Sequence, residues 1–219
     1  MARLQGVLLD VDGTLIDNSY LHTVAWFRAL RDCGVTQTMA RLHRLVGMGG
    51  DMYTREIFGE VRDDVARAHS QHIQQLRGDM VGLPGAGDLV RRIRDLGLRV
   101  IVSTSASADD VERFMQLIGT EGLIDEAATK EDVAATKPSP DVVRVALAKS
   151  GLDPGVVVFV GDTRWDVEAA GRAGVRCLAV ETGGWAPAEL QQAGALQVYH
   201  DAGHLAAGFH PDLVEQQRP

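Results

Sequence analysis

Cysteine is scarce in this chain. Cys33 and Cys177 are the only two in 219 residues, too few for a disulfide framework and not arranged as a CxxC pair. Each is expected to be a small buried apolar residue in a reducing compartment. No apolar run approaches the ~20 residues needed to span a bilayer. A strand-like run carrying two acids starts within a few residues of Met1, so no leader peptide is expected and the chain reads as cytoplasmic. Positive charge is also short: 22 Lys and Arg face 30 Asp and Glu, for a net charge of -8. The basic residues are scattered, which argues against nucleic acid or an acidic membrane as partner. Internal repeats, low-complexity tracts, P-loop and dinucleotide-type glycine patterns and HExxH are all missing. What is left is 45% hydrophobic. That suffices for a sizeable core, in one large domain or a core carrying a smaller insert.

The most informative stretch is Leu8-Leu9-Asp10-Val11-Asp12-Gly13-Thr14-Leu15. Side chains alternate along a strand, so Asp10 and Asp12 can face the same way, and Gly13 permits a tight turn away from it. Two carboxylates converging at the end of a buried strand are costly unless a cation or a reacting group uses them. The pattern suits a Mg2+ site of hard oxygen ligands, with one carboxylate free to act as nucleophile. Taken alone, the same residues also fit an acidic strand-to-turn junction without chemistry. A second apolar run, Val156 to Val160, ends in the same manner at Gly161-Asp162-Thr163-Arg164-Trp165-Asp166.

From about Gly82 onward, strand-like and helix-like segments alternate. Runs at Leu98–Thr104, Val156–Val160 and Val175–Val180 read as strands. Amphipathic stretches at Ala86–Leu96, Asp109–Ile118, Asp141–Lys149 and Trp165–Ala173 read as helices, several of them followed by glycine. Helices between strands imply a parallel, open α/β sheet, which binds ligands at the carboxyl ends of its strands. Asp10, Thr104 and Asp162 lie at such ends. From Leu15 to Val81 the pattern does not alternate. Helical stretches at Tyr20–Cys33, Met39–Val46 and Asp63–Arg77 follow one another without a convincing strand, as in an inserted helical domain, and 79–87 reads as the return linker. The expected division is an α/β core of residues 1–15 and 82–219 with a helical insert of 16–81. The polar tail from Ala202 is expected to fray.

Four parts in order resemble the signature of the haloacid dehalogenase-like hydrolase superfamily: Asp10-Val11-Asp12-Gly13-Thr14, then Thr104, then Lys137 in Thr136-Lys137-Pro138-Ser139-Pro140-Asp141, then Gly161-Asp162 through Asp166. The resemblance implies a Rossmann-like parallel-sheet core with a helical cap closing over the active site. It implies Asp10 as nucleophile, forming an aspartyl-phosphate, and Asp12 as the acid that protonates the leaving oxygen and later deprotonates water. Mg2+ would be held by Asp10, the backbone carbonyl of Asp12, and Asp162, with Asp166 either in the metal shell or partnering Lys137. Thr104, with Ser103 and Ser105 as competitors, would bind phosphoryl oxygen; its other reading is a helix cap. Lys137 would offset repulsion between nucleophile and phosphoryl group, whereas Lys130 and Lys149 read as solvated lysines. Because the metal-free dehalogenating branch lacks the second acid, Asp12 favours phosphoryl transfer.

Tyr20 to Trp26 is similar to the first cap helix of the β-phosphoglucomutase and phosphoglycolate phosphatase-like branch, which makes His22 a candidate substrate contact and Trp26 a core residue. Gly47 and Gly49 lie in a break in the helical pattern that reads as a substrate-touching loop. Two departures matter. Gly50 stands where a mutase of this type carries an Arg that grips a second phosphate, and the stretch after Thr104, Ser105 to Asp109, has no base. Without those charges a bisphosphate is poorly held, so water should take the phosphoryl group, unless Arg55 reaches in. His69, His72, His200 and His204 are expected in surface or packing roles. The leading expectation is a Mg2+-dependent phosphatase acting on a small phosphorylated metabolite, phosphoglycolate- or sugar-phosphate-like. A phosphomutase, a dehalogenase and a non-catalytic binding module are the alternatives.

Overall fold

The computed structural model describes residues 3–212. Six strands form one parallel sheet: β1 (Gly6–Leu9), β4 (Arg99–Ser103), β5 (Glu126–Ala128), β6 (Val157–Gly161), β7 (Arg176–Val180) and β8 (Gln197–Tyr199), in the spatial order β5-β4-β1-β6-β7-β8. The order reverses direction at β1, which pairs in register with both neighbours, Leu9 facing Val102 on one side and Val160 on the other. A reversal of this kind opens a crevice at the carboxyl ends of the strands, and Asp10 is the residue that enters it.

Alternation along the strands builds two apolar layers. Val7, Leu9, Val100, Val102, Val158 and Val160 face one side, packing on α5 (Ala86–Asp95), α6 (Ala108–Leu117) and α10 (Ala202–Gly208). Leu8, Ile101, Val157 and Phe159 face the other, packing on α7 (Asp141–Ser150), α8 (Arg164–Arg172) and α9 (Pro187–Ala193). Every residue of β1 and β6 is buried, which explains their uninterrupted apolar runs.

The helical stretch after β1 comprises α1 (Ser19–Asp32), α2 (Met39–His43), α3 (Gly50–Phe58) and α4 (Asp63–Gln75). It has an apolar cluster of its own, with Trp26, Leu30, Leu42, Tyr53 and Val65 buried together. The structure corrects three expectations. The helical stretch is bounded by a short antiparallel ribbon, β2 (Ile16–Asp17) on β3 (Val81–Gly82), so the return segment is hydrogen-bonded rather than a plain linker. The region from Ala202 holds α10, whose Leu205 and the following Phe209 are fully buried; the rest of the expected fraying tail, 213–219, lies outside the described residues. Cys33 is exposed at the end of α1 while Cys177 is buried in β7, and both are free. No helix among the described residues is long and apolar enough to cross a membrane.

Candidate active site

Asp10 leaves β1 with its amide bonded to the Val160 carbonyl at 2.9 Å. Three residues on, Gly13 turns the chain with φ +78°, and a Cβ there would collide with the Asp162 carboxylate and the Ser19 hydroxyl. Only glycine meets both demands. Asn18, fully buried ahead of α1, stitches the loop: its amide oxygen accepts from the Gly13 N–H at 3.2 Å and its NH2 donates to Asp12.

Three buried carboxylates, Asp10, Asp162 and Asp166, gather with one oxygen from each within 4.8 Å of the others. Lys137 enters from the loop before α7. Its side chain is 1% exposed, and its ammonium lies 2.7 Å from both Asp10 Oδ1 and Asp166 Oδ1. The other Asp166 oxygen accepts from the Thr163 N–H (3.0 Å) and hydroxyl (2.6 Å), a capping box that starts α8. Thus Asp166 is both the partner of Lys137 and a member of the carboxylate group. Thr14 donates its hydroxyl to Asp162 Oδ1 at 2.7 Å. The remaining oxygen, Asp162 Oδ2, is buried with no hydrogen-bond partner among the described residues.

The electrostatics follow from this crowding. Burial pushes Asp10 up to about 7; Lys137 pulls it down, while Asp166 and Asp12 add to the rise. Burial and the neighbouring Asp166 and Asp10 hold Asp162 well above the ordinary carboxylate range, despite Thr14. For Lys137 burial opposes the charge, but Asp10 and Asp166 outweigh it and its pKa is raised. Asp12 behaves differently. Burial works against its charge, yet His22 and Asn18 prevail and hold it below the usual value. One ammonium facing three buried acids leaves negative charge uncompensated. An orphaned carboxylate oxygen, an all-oxygen donor set and glycines at 13 and 183, whose Cβ positions would overlap the Asp162 carboxylate, fit a hard divalent cation.

A cavity of about 500 Å³ opens above these residues. Asp10, Asp12 and Lys137 form its floor, while His22, Gly47 and Gly49 line it from the helical side. Thr104 is brought to the end of β4 but is fully buried, its hydroxyl accepting from the Ala106 N–H at 3.1 Å. It does not cap α6. That role falls to Ser107, which accepts from Asp110 N–H at 3.2 Å. Ser105 and Ser107 reach the cavity wall, and Thr104 lies behind it. Trp26 is buried and stacked between Tyr53 and His69, at 3.9 and 4.0 Å between ring centres.

Several contributors escaped the sequence reading. His69 lines the cavity, with Nε2 3.2 Å from His22 Nδ1, and His22 Nε2 is 3.6 Å from Asp12. Burial, then His22, drives the His69 pKa well below its usual value, so it is neutral. The signal was its place four residues after buried Val65 and four before Ile73, one helical face. Lys130 is exposed, as a solvated lysine should be, and stands at the edge of the cavity; Arg77 lines it while paired to Asp110. Arg55 is exposed and is not among the lining residues. Asn18 carries no chemical signal of its own in the sequence, and Thr14 enters there only as the last residue of the first motif.

A family profile described as "Haloacid dehalogenase-like hydrolase" matches residues 7–180, from the first residues of β1 to the end of β7. The chain belongs to the haloacid dehalogenase-like hydrolases. Within reach of that family, protein CbbY of Cereibacter sphaeroides is 29% identical over 191 residues, covering 80% of this chain and 83% of that protein. N-acetylmuramic acid 6-phosphate phosphatase of Pseudomonas aeruginosa is 28% identical over 198 residues, covering 83% of each. The crystal structure of a hydrolase from Pseudomonas syringae superposes with a TM-score of 0.86 at 29% identity, over 93% of this chain and 96% of that one.

Proposed function

We propose that this phosphoric monoester hydrolase is a Mg2+-dependent phosphatase that acts on a small phosphorylated metabolite, phosphoglycolate- or sugar-phosphate-like, through an aspartyl-phosphate on Asp10. The observation that carries the reading is the Lys137 ammonium 2.7 Å from Asp10, beside a three-carboxylate cluster and under a cavity. Asp10, Asp162, the backbone carbonyl of Asp12 and, around them, Asp166 would hold Mg2+. The ion would neutralise phosphoryl oxygens when bound.

The chain's own residues then divide the work. An Asp10 carboxylate oxygen attacks phosphorus, the bond to the leaving oxygen breaks, and Asp12 gives that oxygen a proton. Asp12 is held ionised in the free protein by His22 and Asn18. A phosphate dianion beside it raises its pKa, so that it carries the proton it must give. In the second step water attacks phosphorus and gives a proton to Asp12, and the Asp10–phosphorus bond breaks, so that phosphate leaves and both acids are restored. Lys137 offsets the repulsion between two anions that must meet, and a hydroxyl at the end of β4 with nearby backbone N–H groups donates to phosphoryl oxygen: Ser105 already lines the cavity, whereas Thr104 would have to turn out of its buried place to serve. Residues 16–81 serve as the cap that excludes water from the cavity.

Water is favoured over a sugar as acceptor because the distal wall holds no free arginine among the described residues. Arg77 is tied to Asp110, and Gly50 carries no charge. The phosphatase named for N-acetylmuramic acid 6-phosphate supports a sugar phosphate as substrate. The free cysteines support the cytoplasm as its setting. Phosphate release from a panel of phosphorylated metabolites, with Mg2+ and with EDTA, tests the proposal. Release that depends on Mg2+ and concentrates on one metabolite is expected. Conversion of glucose 1-phosphate without release would turn the reading to a mutase.

A further inference from the structure

The helical insert touches the core at a place the proposed chemistry does not account for. Asp51, in the first turn of α3, receives two hydrogen bonds from one core residue: the Thr136 hydroxyl donates to Oδ1, and the Thr136 backbone N–H donates to Oδ2 at 3.4 Å. Asp51 has no ion pair among the described residues, so its charge is directed at this threonine. Thr136 is bonded in the chain to Lys137.

The loop leading into α3 reinforces the contact. A Cβ at Gly49 would overlap the Thr136 side chain, and one at Gly47 would come within 2.8 Å of Thr163 Oγ1. Thr163 is the residue that holds Asp166 through two hydrogen bonds. The segment 47–51 therefore abuts both the residue preceding Lys137 and the residue that fixes its partner Asp166. Lys137 in turn pairs with Asp10 and Asp166, each at 2.7 Å.

We propose that Asp51 is a positioning residue: through Thr136 it links seating of the helical insert to the placement of Lys137 beside Asp10. With the insert seated, Thr136 is held at both its hydroxyl and its amide, and Lys137 inherits that register. With the insert lifted, the loop before α7 loses the tie and Lys137 is no longer fixed against the nucleophile. The coupling rests on the phosphatase reading for its catalytic consequence, but not for its structural one. A first-turn acid also stabilises a helix through the dipole, so the test must separate that role from positioning.

The experiment uses the full chain and the variants Asp51→Ala, Asp51→Asn, Thr136→Val, Thr136→Ser and the double Asp51→Ala/Thr136→Val. Steady-state phosphate release on the best metabolite is read together with labelling of lysine amines by an acylating reagent, resolved by mass spectrometry on the ligand-free protein. Loss of a charge-assisted hydrogen bond predicts that Asp51→Ala and Thr136→Val each lower kcat about tenfold with KM within about threefold. The double should fall no further than the worse single variant, and Thr136→Ser should restore kcat. Labelling of Lys137 should rise in Asp51→Ala while that of Lys149 stays constant. Wild-type kcat in Asp51→Ala, multiplying effects in the double, or unchanged Lys137 labelling would each overturn the coupling. If the wild-type chain releases no phosphate at all, the phosphatase reading fails, and Lys137 labelling alone still decides whether Asp51 positions it.

Discussion

Lys137→Met removes one charge from the centre of the site while keeping an apolar side chain of similar length. The ammonium sits 2.7 Å from each of two buried carboxylates. At an effective dielectric near 20, each contact carries a gross attraction of about 6 kcal/mol, most of it offset by the desolvation of the ions. What remains on deletion is the cost of leaving the acids unpaired, about 3–5 kcal/mol for a buried pair broken from one side. Against a total stability of roughly 5–15 kcal/mol for a protein of ordinary size, that is easily measured by urea unfolding in EDTA.

The loss should also depend on pH in a definite direction. Burial raises Asp10 from 3.8 to about 7. Across that window the folded protein holds a proton that the unfolded chain has released, so stability falls as pH rises. Lys137 is the main influence holding this pKa down. Without it the window extends upward, and the variant should lose least near pH 4–5 and most at pH 8. Saturating Mg2+ should recover part of the loss at pH 8, because a bound cation replaces the missing charge. A loss below about 1 kcal/mol at pH 8 in EDTA, or an equal loss at pH 5 and pH 8, would refute the view that Lys137 holds the carboxylates together.

Asp10→Asn should reduce Mg2+-dependent phosphate release at least about 10⁴-fold while leaving thermal unfolding in EDTA unchanged or slightly higher, since one buried acid has gone; retained turnover would remove Asp10 as nucleophile. Gly183→Ala would put a methyl group onto the Asp162 carboxylate and should weaken Mg2+ binding, followed by calorimetry, by about tenfold or more. Wild-type affinity in that variant would show that Asp162 does not contact the ion.

The core was legible because its physics is local. Buried parallel strands such as Val157–Gly161 must be apolar on both faces, and the helices between them carry their own stop signals, as at Gly151 and its αL turn. The acids at the strand ends were legible for the same reason: nothing in a buried strand otherwise tolerates them. The ribbon of Ile16–Asp17 on Val81–Gly82 was not, since two-residue strands have no period to detect and their pairing spans the whole helical stretch. Helix α10 was missed because Ala202–Gly208 is short and small-residued; an Asp201 cap on the His204 N–H and the packing of Leu205 and Phe209 in the core hold it. In the site, His69 was misjudged because its neighbours His22 and Trp26 arrive from another helix. Thr104 was legible as a strand-end residue, but its hydroxyl's commitment to the Ala106 amide depends on a turn that the residue types do not announce.

The ribbon has a mechanical consequence. The chain departs for the helices and comes back through two strands bonded side by side, so its two covalent connections to the core lie along a single short line, while Asp51 with Thr136 and Arg44 with Glu189 hold the helices to the core elsewhere. With those outer contacts released, such a connection resists translation and leaves rotation as the soft motion. Helix α1 begins just beyond that line and runs for 14 residues, or about 21 Å at ~1.5 Å per residue, so a turn of about 10° at the ribbon carries its far end about 4 Å. Two paired residues on each side thus act as a fulcrum. A slight twist there is geared up into a displacement comparable with the width of a phosphate group.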